Sequence, residues 1–207
     1  MRLTLSKITD TALLVIKWPL AILIIFYYTD IFKIFIGSGV FFLSNANILY
    51  IFGALFFLIT NYLGRYGGNK FLVWEHELSH AIFAWLTFKK NIRIVVNEGG
   101  HGGHCSYSNG SNWLITIAPY FFPTLTLIIS LIYPLISNDF HFILDFALGF
   151  SITYHLKTNI SELIHNFSPS ELYGSTDITK IGRVFALIMI PALNFVIFSF
   201  VFTVLGT

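Results

Sequence analysis

Hydrophobic residues arrive along this chain in long runs near 11–29, 31–63, 71–88, 113–136, 140–160 and 181–205, parted by short polar breaks. A helix that crosses a bilayer needs about 20 mainly apolar residues. The runs therefore predict an all-α polytopic membrane protein with about six or seven transmembrane helices. The second run is too long for one span and short for two. Gly37 to Gly39 or Ser44 to Asn47 can mark a turn within it, or it forms one long tilted helix. Met1-Arg2-Leu3 and Lys7 ahead of the first run resemble the charged start of a signal peptide. No small-residue cleavage site follows, so a retained first membrane helix is expected.

One sizeable polar segment, Lys89 to Asn112, separates the third and fourth runs. Ile92-Arg93-Ile94-Val95-Val96 is β-branched and strand-like. Glu98-Gly99-Gly100-His101-Gly102-Gly103-His104-Cys105 reads as a flexible tract, and Ser106 to Ser108 as a second short strand. A small β-hairpin at the membrane surface is the expected form. The organisation predicted is one domain over 1–207, with N-terminal helices over 1–65. A core over 70–207 carries the polar hairpin loop at 89–112.

Composition agrees with the pattern. The chain is 56% hydrophobic and only 11% charged, with a mean hydropathy of +0.76, whereas an ordinary soluble domain is about a quarter charged. The membrane bilayer is the solvent this implies. A net charge of +2 gives no reason to expect a nucleic-acid partner. Cys105 is the only cysteine, so no internal disulfide framework exists. Lys89, Lys90, Arg93, Lys157, Lys180 and Arg183 fall on one side if every run crosses, opposite Arg65 and Lys70. The positive-inside rule makes that side cytoplasmic and the helices at 71–88 and 140–160 parallel. A multi-pass protein of a bacterial cytoplasmic (inner) membrane is expected.

The third run contains His76-Glu77-Leu78-Ser79-His80. On a helix the two histidines, four residues apart, lie one above the other, and two neutral imidazoles so placed can bind one Zn²⁺ at about 2.0–2.1 Å. Glu77 can take a proton from a metal-bound water whose pKa is lowered towards about 7. A bare HExxH also arises by chance in soluble helices. In a membrane helix each charged group costs at least about 2.5–3.5 kcal/mol, which argues against a purely structural role for Glu75, His76, Glu77 and His80 together. His101, His104 and Cys105 offer a weaker, separate metal-binding set; exposed histidines beside permissive glycines are the plainer reading.

The stretch from His76 to Ala81, the short basic turn, the strand, the Gly-rich loop and Ala118-Pro119-Tyr120 resemble the site-2 protease class of intramembrane zinc metalloproteases. The resemblance implies a hydrolase acting on a membrane-tethered protein or peptide. Zinc would be its cofactor, Glu77 its base and later its acid, and an edge strand through Ile94, Val95 and Val96 would hold the substrate. It also implies a third ligand from an Asp in an LDG element after N-x-x-P, and this sequence has no LDG.

Three residues compete for that place. His155 matches His80 in depth if the helices run parallel, and shares a polar helical face with Asn159, Glu162 and His165. Asp177 follows Asn166-Phe167-Ser168-Pro169 as a loose echo of N-x-x-P…D, and also suits a helix first turn. Asp145 lies inside the fifth run and can pair with His141 instead. His155 ranks first, Asp177 second and Asp145 third. The alternatives to a zinc-dependent intramembrane endopeptidase are an inactive membrane peptide-binding relative and a metal-ion transporter. Retention of Glu77 speaks against the first. Confinement of the ionisable cluster to one motif speaks against the second. Nothing in the sequence fixes the oligomeric state.

Overall fold

The computed structural model describes residues 5–45, 47–64, 69–97, 102–167 and 176–206. Arg65, Glu98 to His101, Ser168, Pro169 and Ser175 lie outside the described residues, as does the side chain of His165. The elements are α1 (Leu5–Asn45), α2 (Ile48–Tyr62), α3 (Asn69–Leu86), β1 (Arg93–Val96), β2 (Gly103–Ser106), α4 (Trp113–Ile117), α5 (Thr124–Ile132), α6 (His141–Phe167), α7 (Asp177–Ile181) and α8 (Arg183–Gly206). Short 3₁₀ turns follow α4 and α5 and precede α6.

Fewer helices suit a membrane crossing than the hydrophobic runs suggest. Among the described residues α1 and α8 qualify by length and composition, and the bent pair Trp113–Tyr120 and Thr124–Leu135 makes up to three. Four local causes explain the difference. The first run and half of the second fuse into the single 41-residue α1, which passes through Asp30, Gly37 and Gly39. It breaks instead beside Asn47, whose side chain accepts the Leu49 N–H at 3.3 Å and caps α2. What remains is α2, 15 residues long and short of a span. Prolines 119 and 123 stand at the break that divides the fourth run into two short helices. Finally, α3 carries Lys70, Glu75, Glu77 and two histidines, and α6 carries Asp145, Lys157 and Glu162, which dilute their hydropathy.

Helix α1 is apolar on all sides, and Leu14, Val15, Ile22 and Phe26 stand exposed along it. In water such a surface is unstable; against lipid chains it has no cost. The chain divides into two compact units. The first joins Met1–Phe26, Gly68–Phe122 and Leu163–Ile190; the second joins Tyr27–Gly67, Pro123–Glu162 and Pro191–Thr207.

In the first unit α3 is the platform. Strands β1 and β2 pair antiparallel, Arg93 with Ser106, Ile94 with Cys105, Val95 with His104 and Val96 with Gly103, and both lie against α3. The second strand thus starts three residues earlier than its polar sequence suggests. Gly103 explains the shift: a Cβ there would come within 2.7 Å of both Val73 Cγ1 and the Val95 carbonyl oxygen, so only glycine lets the strand approach. The alternation is regular, with Ile94, Val96, Gly103 and Cys105 half-buried and Val95 and His104 facing out.

A polar tie fastens the hairpin's base. Lys89 Nζ meets Asp10 Oδ2 at 2.6 Å with the lysine side chain 0% exposed. Asn112 Nδ2 donates to Asp10 Oδ1 at 2.9 Å, while its own Oδ1 accepts the Ile115 N–H at 3.0 Å and caps α4. Removing one partner of a buried ion pair costs about 3–5 kcal/mol, because the other is stranded. Trp113 adds an indole N–H to the Leu13 carbonyl at 2.8 Å.

In the second unit α2 packs on α6 backbone to backbone. A Cβ on Gly53 would run into the Phe146 carbonyl, and one on Gly149 into that of Tyr50. Small residues permit this approach, which is a common way to pack membrane helices. Phe42, Tyr50 and Leu148 form the local core.

Candidate metal centre

The helix α3 sets His76 and His80 one turn apart, with ring centroids separated by 4.9 Å. Within the motif His76 is half-buried, Glu77 is 8% exposed and Ser79 is fully buried. His80 is fixed by Nδ1, which lies 2.7 Å from the Ile115 carbonyl oxygen. That oxygen also accepts the Ala118 N–H at the end of α4, so its two lone pairs serve the helix end and the imidazole. With Nδ1–H donating there, His80 Nε2 is the nitrogen turned to the cluster, able to donate to a carboxylate when protonated and to offer its lone pair to a metal when not. His76 stacks edge-on against Tyr120 at 5.8 Å, and the Tyr120 hydroxyl accepts from Asn166 Nδ2 at 3.0 Å.

Asp177 completes the group. Its Oδ2 lies 3.4 Å from His80 Nε2 and 3.9 Å from His76 Nε2. Among the described residues, His76, His80 and Asp177 form a set of ligand atoms all within 4.8 Å of one another and able to hold a metal ion. Burial pushes the Asp177 carboxyl up, but hydrogen bonds from His76 and His80, with Lys180 beyond them, outweigh it and hold the group well below the usual carboxylate range. Asp177 is the first residue of α7, behind Thr176, whose hydroxyl accepts the Thr179 N–H. The first-turn position and the place beside the histidines belong to the same residue.

The other two candidates for the third ligand belong to the second unit and are not members of that set. His155, ranked first from the sequence, belongs to the second unit; it is 4% exposed, 3.3 Å from Asn159 Nδ2 and 5.8 Å from the Phe198 ring. Asp145, also in the second unit, accepts from the Tyr133 hydroxyl at 3.0 Å rather than pairing with His141, whose ring lies instead against Tyr133. The depth match that favoured His155 assumes that each hydrophobic run is a full span, and among the described residues only two or three helices are long and apolar enough for one.

A cleft of about 230 Å³ opens beside the cluster, walled by Glu77, His80, His104, Cys105, Asp177 and Lys180. The hairpin residues on this wall come from β2; Ile94, Val95 and Val96 are in β1. A recess of about 380 Å³ between Lys70, Phe71 and Trp74 and the end of β1 at Val96 and Asn97 lies on that strand's side. Burial, with the charge of Glu77 behind it, pushes the Cys105 thiol up to about 11, so it stays protonated at neutral pH. Lys180 enters the sequence argument only as an orientation charge; its spacing from Asp177, one helical turn, is the signal that could have placed it here.

The Peptidase M50B-like family matches residues 48–158, more than half of the 207-residue chain. The match contains His76, Glu77 and His80 and ends before Asp177. No curated protein and no solved structure matches the chain. The two or three apolar helices are consistent with a membrane setting, and the resemblance to the site-2 protease class agrees with the family match. By that match, which takes in the motif helix and the hairpin, the chain belongs to the Peptidase M50B-like family.

Proposed function

We propose that the protein is a zinc-dependent endopeptidase that cuts a membrane-tethered protein or peptide at or within a membrane, with Glu77 as its base. The observation that carries this reading is the juxtaposition of two imidazoles, one carboxylate and a nearly buried glutamate around one cleft. The donor set suits zinc. Two ligands held at about 2.0–2.1 Å in a tetrahedron stand about 3.4 Å apart. His80 Nε2 and Asp177 Oδ2 already meet that spacing at 3.4 Å, while His76, 3.9 Å from Asp177 and within 4.8 Å of His80, must close on both. Two histidines and a carboxylate leave the fourth position open, as in catalytic rather than structural sites.

When bound, zinc supplies an acidified water and a Lewis acid for the scissile carbonyl. Glu77 accepts the proton of the attacking water and returns it to the nitrogen of the leaving amine as the bond from that nitrogen to the carbonyl carbon breaks. His80, oriented by the Ile115 carbonyl, keeps Nε2 on the cleft side. The edge of β1 through Ile94, Val95 and Val96, with the recess beyond Val96, receives an unwound substrate as an added strand. The place of Asp177 beside the two histidines supports reading it as the third ligand in the absence of an LDG element.

The test is a paired one on the purified chain. About one zinc per chain is expected, with His76→Ala losing it. Glu77→Gln should keep the metal and lose cleavage of a co-reconstituted membrane substrate. Metal content that survives His76→Ala refutes the centre, and cleavage that survives Glu77→Gln refutes the base.

A further inference from the structure

The two oxygens of Asp177 have different neighbours. Oδ2 faces His80 Nε2 at 3.4 Å and His76 Nε2 at 3.9 Å, while Oδ1 lies 2.9 Å from Lys180 Nζ. The sequence dictates this division. Asp177 opens α7 and Lys180 follows three residues later, on the same face of the helix. Thr176 caps the turn, and Gly182, at φ 93°, ends it, so the pair is held in one turn of backbone. The Asp177 side chain is 21% exposed and that of Lys180 54%, so the ammonium approaches from the solvent side and the inner oxygen is left for the histidines.

We propose that Lys180 is a positioning residue that keeps Asp177 a one-oxygen ligand. The proposal rests on the metal-centre reading above. A carboxylate with both oxygens available can close on a metal ion through both, and would then use the position that an attacking water needs. An ammonium on Oδ1 blocks that mode. It also fixes the direction of Oδ2, as partners behind metal ligands generally do. A rival account gives Lys180 only a charge effect, under which its positive charge would repel the ion and its loss would tighten binding. Its exposure favours position over charge, because water and salt screen a group more than half in solvent.

The test uses the full chain in detergent, loaded with cobalt(II) as a visible probe, and chelator competition to measure affinity. Lys180→Met should weaken metal binding by about 10–100-fold. It should also reduce the visible absorption of the cobalt centre, since a second carboxylate oxygen raises the coordination number above four. Lys180→Gln, at the same exposed position and without the charge, is read beside it so that the result does not depend on one variant. Lys180→Arg, which restores a cationic donor, should recover the four-coordinate spectrum. An unchanged spectrum and affinity in both neutral variants would overturn the proposal, and so would tighter binding in either. If His76→Ala leaves cobalt binding intact, the metal centre itself is lost and the role of Lys180 with it. That result differs from a centre that needs His76 but ignores Lys180.

Discussion

Gly103→Ala is a demanding test of how the hairpin serves the motif helix. The new methyl would sit 2.7 Å from Val73 Cγ1, 2.7 Å from the Val95 carbonyl oxygen and 3.2 Å from Glu77 Cγ. Carbon contacts relax only near 3.5–4.0 Å, so a gap of roughly 0.8–1.3 Å must open against Val73. The valine can rotate, but the Val95 carbonyl belongs to the paired strand and cannot yield alone. The strand must therefore lift from α3, or Glu77 must move. Overpacking of this kind costs about 1–3 kcal/mol, which for a chain of this size lowers the melting temperature by about 2–12 °C. A misplacement of about 1 Å in a group that moves a proton can cost about 100-fold in rate. Cleavage of a reconstituted membrane-tethered reporter should fall towards that value, with zinc per chain unchanged because none of the three ligand side chains is touched. Gly102→Ala is the matched control. It has nothing within 4 Å but sits at φ 92°, so it should lose about 1–2 kcal/mol to backbone strain and keep its activity. Cleavage by Gly103→Ala within about twofold of wild type would refute the claim that close strand approach positions Glu77.

Two further outcomes are expected. Gly149→Ala should force α6 away from the Tyr50 carbonyl and destabilise the second unit by about 1–3 kcal/mol or more, read as a lower melting temperature in detergent; a wild-type melt would contradict the backbone contact. The raised Cys105 thiol predicts slow alkylation. Its pKa moves from 9.0 to about 11, which cuts the thiolate a hundredfold below pH 9. The more basic thiolate recovers part of that, leaving about a tenfold deficit against an exposed thiol. The alkylation rate of the metal-free protein should keep rising through pH 10, and a plateau near pH 9 would show that the thiol is not raised.

How legible the protein is depends on whether a feature is local. The spacing of His76 and His80 is written within one turn of helix, so the residues alone place the motif. The hairpin is legible from Ile92 to Val96, but its second strand is not. A strand that begins at Gly103 owes its place to the space available over α3 rather than to strand propensity. Equating hydrophobic length with crossing overcounts the spans, because the Asn47 cap and the bend between α4 and α5 reassign the same residues. The partner of the histidines is the least legible. Asp177 is among the three candidates, yet nothing nearby in sequence distinguishes a helix first-turn acid from a ligand. Only the folded position of α7, far along the chain, brings it to α3.

That separation has a consequence for how the protein is made. About a hundred residues lie between His80 and Asp177, and α7 is fastened at its far end by Lys17 of α1, which donates to the Ile181 carbonyl at 2.7 Å. An early helix thus holds the short helix that carries the latest of the three residues in the cluster. A nascent chain can display the HELSH helix long before it has a third donor, and two imidazoles alone hold a metal weakly. On the proposed metal-centre reading, tight metal capture would coincide with completion of the first unit, and its binding energy would become folding energy at that step.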